Sequence, residues 1–346
     1  IRDIVKERVD ASGISATASR LVGGERESHA RLEHSLARFV GTDAALAMVS
    51  GHATNMAAVR TLLGPGDLVL VDALAHNSIY EGIRASGAAH VSFPHNDFDW
   101  VDTYLAANRS NFKHALIAIE GLYSMDGDAP DLPGFVSVKQ RHGAWLMLDE
   151  AHSLGVLGKT GRGICEEFCV DPKDVELIMG TLSKSFCSCG GFVAGSEALT
   201  DLLRYKAPGF VYSVGLSTPN TAAAEAAIGE IERHPERVAE LREKCQTFKA
   251  LAQSLGLDTD KSQGYAVCPV IIGDSLRAVW VSNQLLDAGF NVLPIIAPAV
   301  PDRSARLRFF LNRDHDEAAM KNVLKETARL VEKAAGMTAQ DLATSS

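Results

Sequence analysis

The 346-residue chain carries 34 Lys and Arg against 43 Asp and Glu, a formal net charge of −9 at neutral pH. With 46% apolar and 22% charged residues it reads as an ordinary globular protein, long enough for a large core or two domains. No run approaches the roughly 18 apolar residues of a membrane-spanning helix. The acidic balance, with no Lys/Arg cluster, argues against nucleic acid or an anionic membrane as partner. Six cysteines in so long a chain make no disulfide framework, so the expected compartment is the cytoplasm. The chain opens on Ile1 without an initiator Met or a signal peptide, which suggests a piece cut from something longer.

In chain order, the charged first residues and the small, polar Ala11–Ser19 predict a helical piece and a loop. Leu32, Leu36, Phe39 and Val40 recur at helical spacing before Gly41, a C-terminal cap. Strands are predicted at Ala44–Val49, Leu68–Val71, His90–Phe93, Ala115–Ile119, Ala144–Leu148, Glu176–Thr181 and Gly191–Ala194. Helices are predicted at 53–63, 77–86 and 132–142. This alternation predicts βαβ units and a mostly parallel sheet covered on both faces. After about residue 215 the pattern changes to two long helices (219–233 and 236–255), a strand (Ala266–Ile272), a helix (275–288), strands at 290–294 and 305–311, and a closing helix. The expected organisation is an arm (1–35), a large α/β domain (36–230), a smaller α+β domain (231–336) and a frayed tail (337–346).

Open parallel sheets bind ligands beyond the carboxyl ends of their strands. The strand Ala144–Leu148 runs into Asp149, and the next ends at Gly180-Thr-Leu-Ser-Lys184, with Gly190-Gly191 close behind. An Asp and a Lys converging from successive strands suit pyridoxal phosphate. The carboxylate keeps the pyridine nitrogen protonated and the amine forms the Schiff base. Ser50-Gly51-His52 opens a helix after a strand and offers backbone N–H groups to a phosphate, and His76 could stack on a flat ring. Cys187 and Cys189 lack a second pair at zinc-type spacing and are expected to be packed small residues, as are Cys165 and Cys169, so no metal is assigned. Gly155, Gly158, Gly161 and Gly163 fit no nucleotide loop and read as a mobile active-site loop.

Six motifs in order, Ser50-Gly-His-Ala-Thr-Asn55 with His76, Glu120-Gly-Leu-Tyr-Ser-Met-Asp-Gly-Asp128, Asp149-Glu-Ala-His-Ser-Leu-Gly155, Gly180-Thr-Leu-Ser-Lys-Ser185 and Ala305-Arg-Leu-Arg308, resemble the α-oxoamine synthases. These include 8-amino-7-oxononanoate synthase, glycine C-acetyltransferase, 5-aminolevulinate synthase and serine palmitoyltransferase. The resemblance runs from about Ser12 to Leu330 and implies a three-layer α/β fold-type-I transferase with a smaller C-terminal α+β domain. It implies Lys184 as Schiff-base lysine and proton acceptor, Asp149 at the pyridinium nitrogen, His76 stacked on the ring and His152 near its phenolic oxygen. Glu120 and Ser124 would line the ring, and Gly51, His52 and Thr181 would hold the phosphate, with Ser213 reaching it across a homodimer interface. Arg308 would hold the substrate carboxylate. Arg20, after a Ser15-Ala-Thr-Ala-Ser stretch that departs from the family's glycine-rich loop, is a second substrate-binding candidate.

The implied reaction is decarboxylating condensation of Ser, Ala or Gly with an acyl-coenzyme A or an acyl carrier protein, giving an α-amino ketone. The Ser183-Lys184-Ser185 wording leans toward serine palmitoyltransferase and polyketide assembly-line members. The alternatives are an aminotransferase or lyase on the same fold, or a non-catalytic partner subunit, which would be expected to lose the lysine that this chain keeps.

Overall fold

The structure, a computed structural model, describes residues 1–344 and divides into two compact units. The first comprises Ile1–Leu122 with Ala129–Pro235, and the second Tyr123–Asp128 with the chain from Glu236 onward.

The first unit is built on seven strands: β1 (Ala44–Met48), β2 (Leu68–Asp72), β3 (Ala89–Phe93), β4 (Ala115–Glu120), β5 (Trp145–Asp149), β6 (Leu177–Thr181) and β7 (Gly191–Gly195). They lie in the order β1-β7-β6-β5-β4-β2-β3, and only β7 runs antiparallel to its neighbours. Ten helices accompany the sheet: α1 (Arg2–Ser12), α2 (Glu27–Val40), α3 (Gly51–Leu62), α4 (Asn77–Ser86), α5 (Phe98–Asn108), α6 (Leu132–His142), α7 (Ile164–Glu167), α8 (Glu197–Lys206), α9 (Pro208–Val211) and α10 (Thr218–Arg233). Leu46, Val69, Val71, Leu116, Met147, Met179 and Val193 point to one face and pack with Ala58 of α3 and Ile79 and Ile83 of α4. Residues of the opposite parity, such as Leu70, Ile117, Leu146 and Leu148, are equally buried, and α2 and α6 pack on the sheet. Burial on both faces explains why these strands are continuous apolar runs.

Local chemistry sets the helix boundaries. Ser50 caps α3 by accepting from the N–H of Ala53 at 3.1 Å, and Asp131 caps α6, whose first turn contains Pro133. Gly41, Gly87 and Gly143 close α2, α4 and α6 in the left-handed conformation. Helix α5 was not anticipated, because it buries only Val101 and Leu105 and so shows almost no apolar stripe.

The second unit has a three-stranded antiparallel sheet, β8 (Val267–Gly273), β10 (Ala305–Phe310) and β9 (Pro294–Ile295), in the order β8-β10-β9. Helices α11 (Glu236–Ser254), α12 (Ser275–Asp287), α13 (Glu317–Ala335) and α14 (Ala339–Thr344) complete it. Its core gathers Phe248, Trp280, Leu307, Leu324 and Leu330.

Four expectations are corrected. Residues 1–35 are not a separate arm: α1 packs on α10, and α2 lies against β1 and β7. The segment Tyr123–Asp128 belongs to the second unit although it interrupts the first, because Gly127 and Asp126 bond to Gln263 and Arg306. The strand expected at 290–294 shrinks to Pro294–Ile295: the N–H of Phe290 closes α12 on Leu285, and Pro294 has no N–H to donate. The tail is not wholly frayed, since Thr338 and Asp341 bond reciprocally around the start of α14 and Leu342 is buried in the core.

Candidate active site

The parallel register brings the functional residues of the first unit to one rim. Glu120 ends β4 and pairs with Asp149 at the end of β5, which pairs with Met179 of β6. Thr181 ends β6 opposite Gly191, the first residue of antiparallel β7, and Gly191 pairs in turn with Met48 at the end of β1. The chain leaves β1 into Ser50-Gly51, β2 into His76, β5 into His152 and β6 into Lys184. Sheet topology alone therefore collects these side chains.

Asp149 is buried, and both its oxygens accept hydrogen bonds. The backbone N–H of Ala151 donates to Oδ1 at 2.9 Å and the side-chain amide of Asn55, in α3, donates to Oδ2 at 2.7 Å. Asn55 Nδ2 also lies 2.9 Å from the hydroxyl of Ser78, itself 2.6 Å from Nδ1 of His76. His76 is an unusual N-cap for α4: its Nδ1 accepts from the N–H of Ser78 at 3.2 Å while its ring remains exposed. Although the residue is exposed overall, partial desolvation of its ring lowers the pKa of His76, as do the charges of Lys184 and His52, with Asp149 opposing. The rings of His52 and His76 meet edge to face with centroids 6.5 Å apart. Glu120, fully enclosed, is pushed well above the usual carboxylate range by burial and by Asp149, while the N–H of His76 and the charge of Lys184 oppose the shift. The mutual influence of Lys184, Asp149, His76 and Glu120 places all four in one electrostatic neighbourhood.

Lys184 is exposed on a loop with a rigid base. Phe186 is fully buried against Phe39 and Phe192, Ser185 donates to the carbonyl of Leu154, and Leu182 and Gly190 bond across the loop neck. Close by, the start of α3 lies flush on the sheet. A Cβ on Gly191 would come 2.7 Å from the backbone N of Gly51, and one on Gly51 would come 3.1 Å from the hydroxyl of Thr181. Ser50 satisfies Ala53 and Thr54, so the N–H groups of Gly51 and His52, which have no partner inside the helix, flank the Thr181 hydroxyl. That side-chain-free cradle, a buried carboxylate, an exposed imidazole and a primary amine fit pyridoxal phosphate.

In the second unit, β10 turns Leu307 and Phe309 into the core and carries Arg306 and Arg308 on its other face. Arg306 is buried and spent on the carboxylate of Asp126. Among the described residues Arg308 meets neutral groups: the carbonyl of Ser124 at 3.2 Å, the sulfur of Met125 at 3.3 Å and the Phe310 ring at 4.5 Å. Its Nε is buried without a partner, and burial lowers its pKa. Ser124 is half-buried beside it.

Arg20 is corrected as a substrate ligand. It is almost fully buried, its guanidinium bonding Glu25 through Nε at 2.7 Å and Nη2 at 2.9 Å and Glu33 through Nη1 and Nη2. With its donors spent, it is a structural residue that ties the 15–25 loop to α2. The loop with Gly155, Gly158, Gly161 and Gly163 is also corrected from mobile to pinned. Glu166 accepts from the N–H groups of Thr160 and Arg162, Glu167 from Gly158, and buried Glu150 from Ile164, with all four glycines at positive φ. Cys169, Cys187 and Cys189 are exposed rather than packed, whereas Cys165 is buried. Ser213 is half-buried between exposed Tyr212 and Val214. Asn55 and Ser78 escaped sequence reasoning as functional residues. The available signal is that Asn55 closes the Ser50–Asn55 motif and Ser78 lies two residues after His76.

An exposed lysine just beyond one strand, a buried aspartate ending its neighbour and a side-chain-free helix start on such a sheet match the layout of a fold-type-I pyridoxal phosphate enzyme. Residues 1–326 match the family described as aminotransferase class I and II. The chain is 40% identical over 327 residues to 8-amino-7-oxononanoate synthase of Geobacter sulfurreducens, covering 94% of this chain and 83% of that one. It is 33% identical over 348 residues to long chain base biosynthesis protein 2b of Arabidopsis thaliana, covering 96% and 70%. Among solved structures, serine palmitoyltransferase of Sphingomonas wittichii superposes with a TM-score of 0.91 at 30% identity, covering 97% of this chain and 84% of that one. The chain belongs to the aminotransferase class I and II family and, within it, to the α-oxoamine synthases, pyridoxal-phosphate-dependent acyltransferases that condense an amino acid with an acyl thioester and lose carbon dioxide.

Proposed function

We propose that this chain condenses a small amino acid (Ser, Ala or Gly) with an acyl group carried on coenzyme A or a carrier protein, releasing thiol, carbon dioxide and an α-amino ketone. The observation that carries the reading is the convergence of Lys184, Asp149, His76 and Glu120 on one rim beside the cradle at Gly51 and Thr181. Bound pyridoxal phosphate supplies an electron sink for the pair left when the amino acid's α C–H bond breaks. The Lys184 amine holds the cofactor and accepts that α-proton at Nζ. With the cofactor bound, the Asp149 carboxylate would pair with the pyridine nitrogen, His76 would cover the ring and His152 would flank the phenolic oxygen. Gly51, His52, Thr181 and, from a second copy, Ser213 bind the phosphate. Glu120 and Ser124 line the site. Arg308, which has no carboxylate partner among the described residues, orients the substrate carboxylate through its two-donor fork.

A homodimer is supported by an apolar surface on the first unit. The 14–22 segment bonds along 214–218, and this ribbon exposes Tyr212 at 85%, Val22 at 76%, Ile14 at 68% and Val214 at 51%. No helix among the described residues is long and apolar enough to cross a membrane.

The test is incubation with single amino acids and either acyl donor. Thiol release stoichiometric with carbon dioxide, slowed about 10²–10⁴-fold by Lys184→Ala, is the expected result. A keto acid without thiol release refutes it in favour of aminotransfer. Turnover unaffected by Lys184→Ala, or no turnover and no cofactor absorbance, refutes it in favour of a non-catalytic subunit.

A further inference from the structure

The reading of the rim as a pyridoxal phosphate site leaves Asn55 and Ser78 without a role, although both are fully buried at its floor. Burying a primary amide is costly unless its polar atoms are paired. Asn55 meets that cost only in part: Nδ2 sits 2.7 Å from Asp149 Oδ2 and 2.9 Å from Ser78 Oγ, while Oδ1 is enclosed without a partner. The alternative rotation of the amide would set its oxygen 2.7 Å from a carboxylate oxygen, which is repulsive, so the donor must face Asp149. Packing alone does not account for a polar group that keeps one atom orphaned in order to aim two hydrogens.

The directions of the remaining bonds follow. Asn55 gives one hydrogen to Asp149 and the other to Ser78, making Ser78 Oγ an acceptor on that side. The N–H of Ser78 points at Nδ1 of His76, 3.2 Å away, so that nitrogen is an acceptor and carries no hydrogen. The hydroxyl of Ser78, 2.6 Å from the same Nδ1, therefore spends its own hydrogen there. Every hydrogen along the line Asp149, Asn55, Ser78, His76 is assigned, and the imidazole is left neutral with its proton on Nε2.

We propose that Asn55 and Ser78 are positioning residues forming one buried relay, which aims the Asp149 carboxylate at the pyridine nitrogen and locks the His76 ring, in its Nε2–H form, over the cofactor plane. Neither touches the cofactor. Asn55 acts through Asp149, and Ser78 acts through His76. The lowered pKa of His76, set by partial desolvation of its ring with Lys184 and His52 adding and Asp149 opposing, accords with a ring held neutral.

The experiment compares wild type, Asn55→Leu, Ser78→Ala and the double variant, and reads three quantities. These are the dissociation constant of pyridoxal phosphate from an absorbance titration of the apo chain, the apo melting temperature, and kcat and KM separately. Asn55→Leu fills similar space and removes both the donors and the orphaned oxygen. A merely structural asparagine would show in the melting temperature, whereas a relay shows in the cofactor. The expected result is cofactor affinity and kcat each down about tenfold or more in Asn55→Leu and about threefold in Ser78→Ala. A shifted absorbance maximum, an unchanged KM for the acyl thioester and a double variant less affected than the product of the two single effects complete it. Wild-type affinity, spectrum and kcat in both single variants overturn the relay while leaving the site reading intact. Failure of the wild type itself to bind pyridoxal phosphate overturns both. Should Asn55→Leu not fold, Ser78→Ala decides alone, since it keeps the backbone bond to His76 and removes only one hydroxyl.

Discussion

Replacing Glu150 with glutamine tests the electrostatics beneath the site. Glu150 is 1% exposed, accepts from the hydroxyl of Ser153 and from the N–H of Ile164, and is boxed in by Gly121 and Gly163, where a Cβ would come 2.8 and 2.5 Å from its Oε2. Burial raises its carboxyl from 4.5 to about 7, with Asp149 adding and the Ser153, Ile164 and Cys165 bonds opposing. The folded-state pKa lies above the unfolded one, so the contribution is fully present at pH below 4.5 and is lost as pH rises through about 7. Between those values the unfolded chain releases a proton that the folded chain retains, and stability falls by about 1.4 kcal/mol per pH step. Integrated from pH 5 to pH 8, the loss is about 2.5 kcal/mol. Glutamine cannot titrate. The difference in unfolding free energy between wild type and Glu150→Gln, from urea melts at fixed protein and cofactor concentration, should therefore shift by about 2.5 kcal/mol against the wild type across that interval. A difference that does not change with pH would mean that Glu150 is ionised throughout, and would refute this account of how burial acts on the carboxyl.

Three further outcomes are expected. Arg308→Lys loses the planar fork and should raise KM for the amino acid about 10- to 100-fold while leaving KM for the acyl thioester unchanged in steady-state kinetics. Gly191→Ala forces a Cβ within 2.7 Å of the backbone of Gly51, which cannot yield as a side-chain tip would. Cofactor affinity should fall about tenfold or more in an absorbance titration. Leu324→Ala, at a site 0% exposed in the second unit, should cost about 2–5 kcal/mol in urea unfolding and leave cofactor affinity unchanged.

The alternation of strand and helix was legible because a sheet covered on both faces demands apolar runs such as Leu68–Asp72 and Ala115–Glu120, in which every residue is buried. Chemistry at the strand ends was legible for a related reason. A charged residue directly after such a run, as with Asp149, or shortly beyond it, as with Lys184, stands out against its apolar neighbours. Helix α5 and the two-residue β9 lacked that contrast. One buries two side chains, and the other is an edge held by a proline.

Sequence by itself determined the parallel sheet, the rim residues and the family, because each is written in local runs and in the order of motifs. The tertiary structure alone decided who pairs with whom. Arg20 is neutralised by Glu33, thirteen residues away, and Asn55 meets Asp149 across ninety-four. Arg306 is spent on Asp126 while Arg308, two residues on, meets no carboxylate among the described residues. Whether a polar side chain is a tool or a strut depends on what lies within about 3 Å of it, and that distance is set only when remote segments pack.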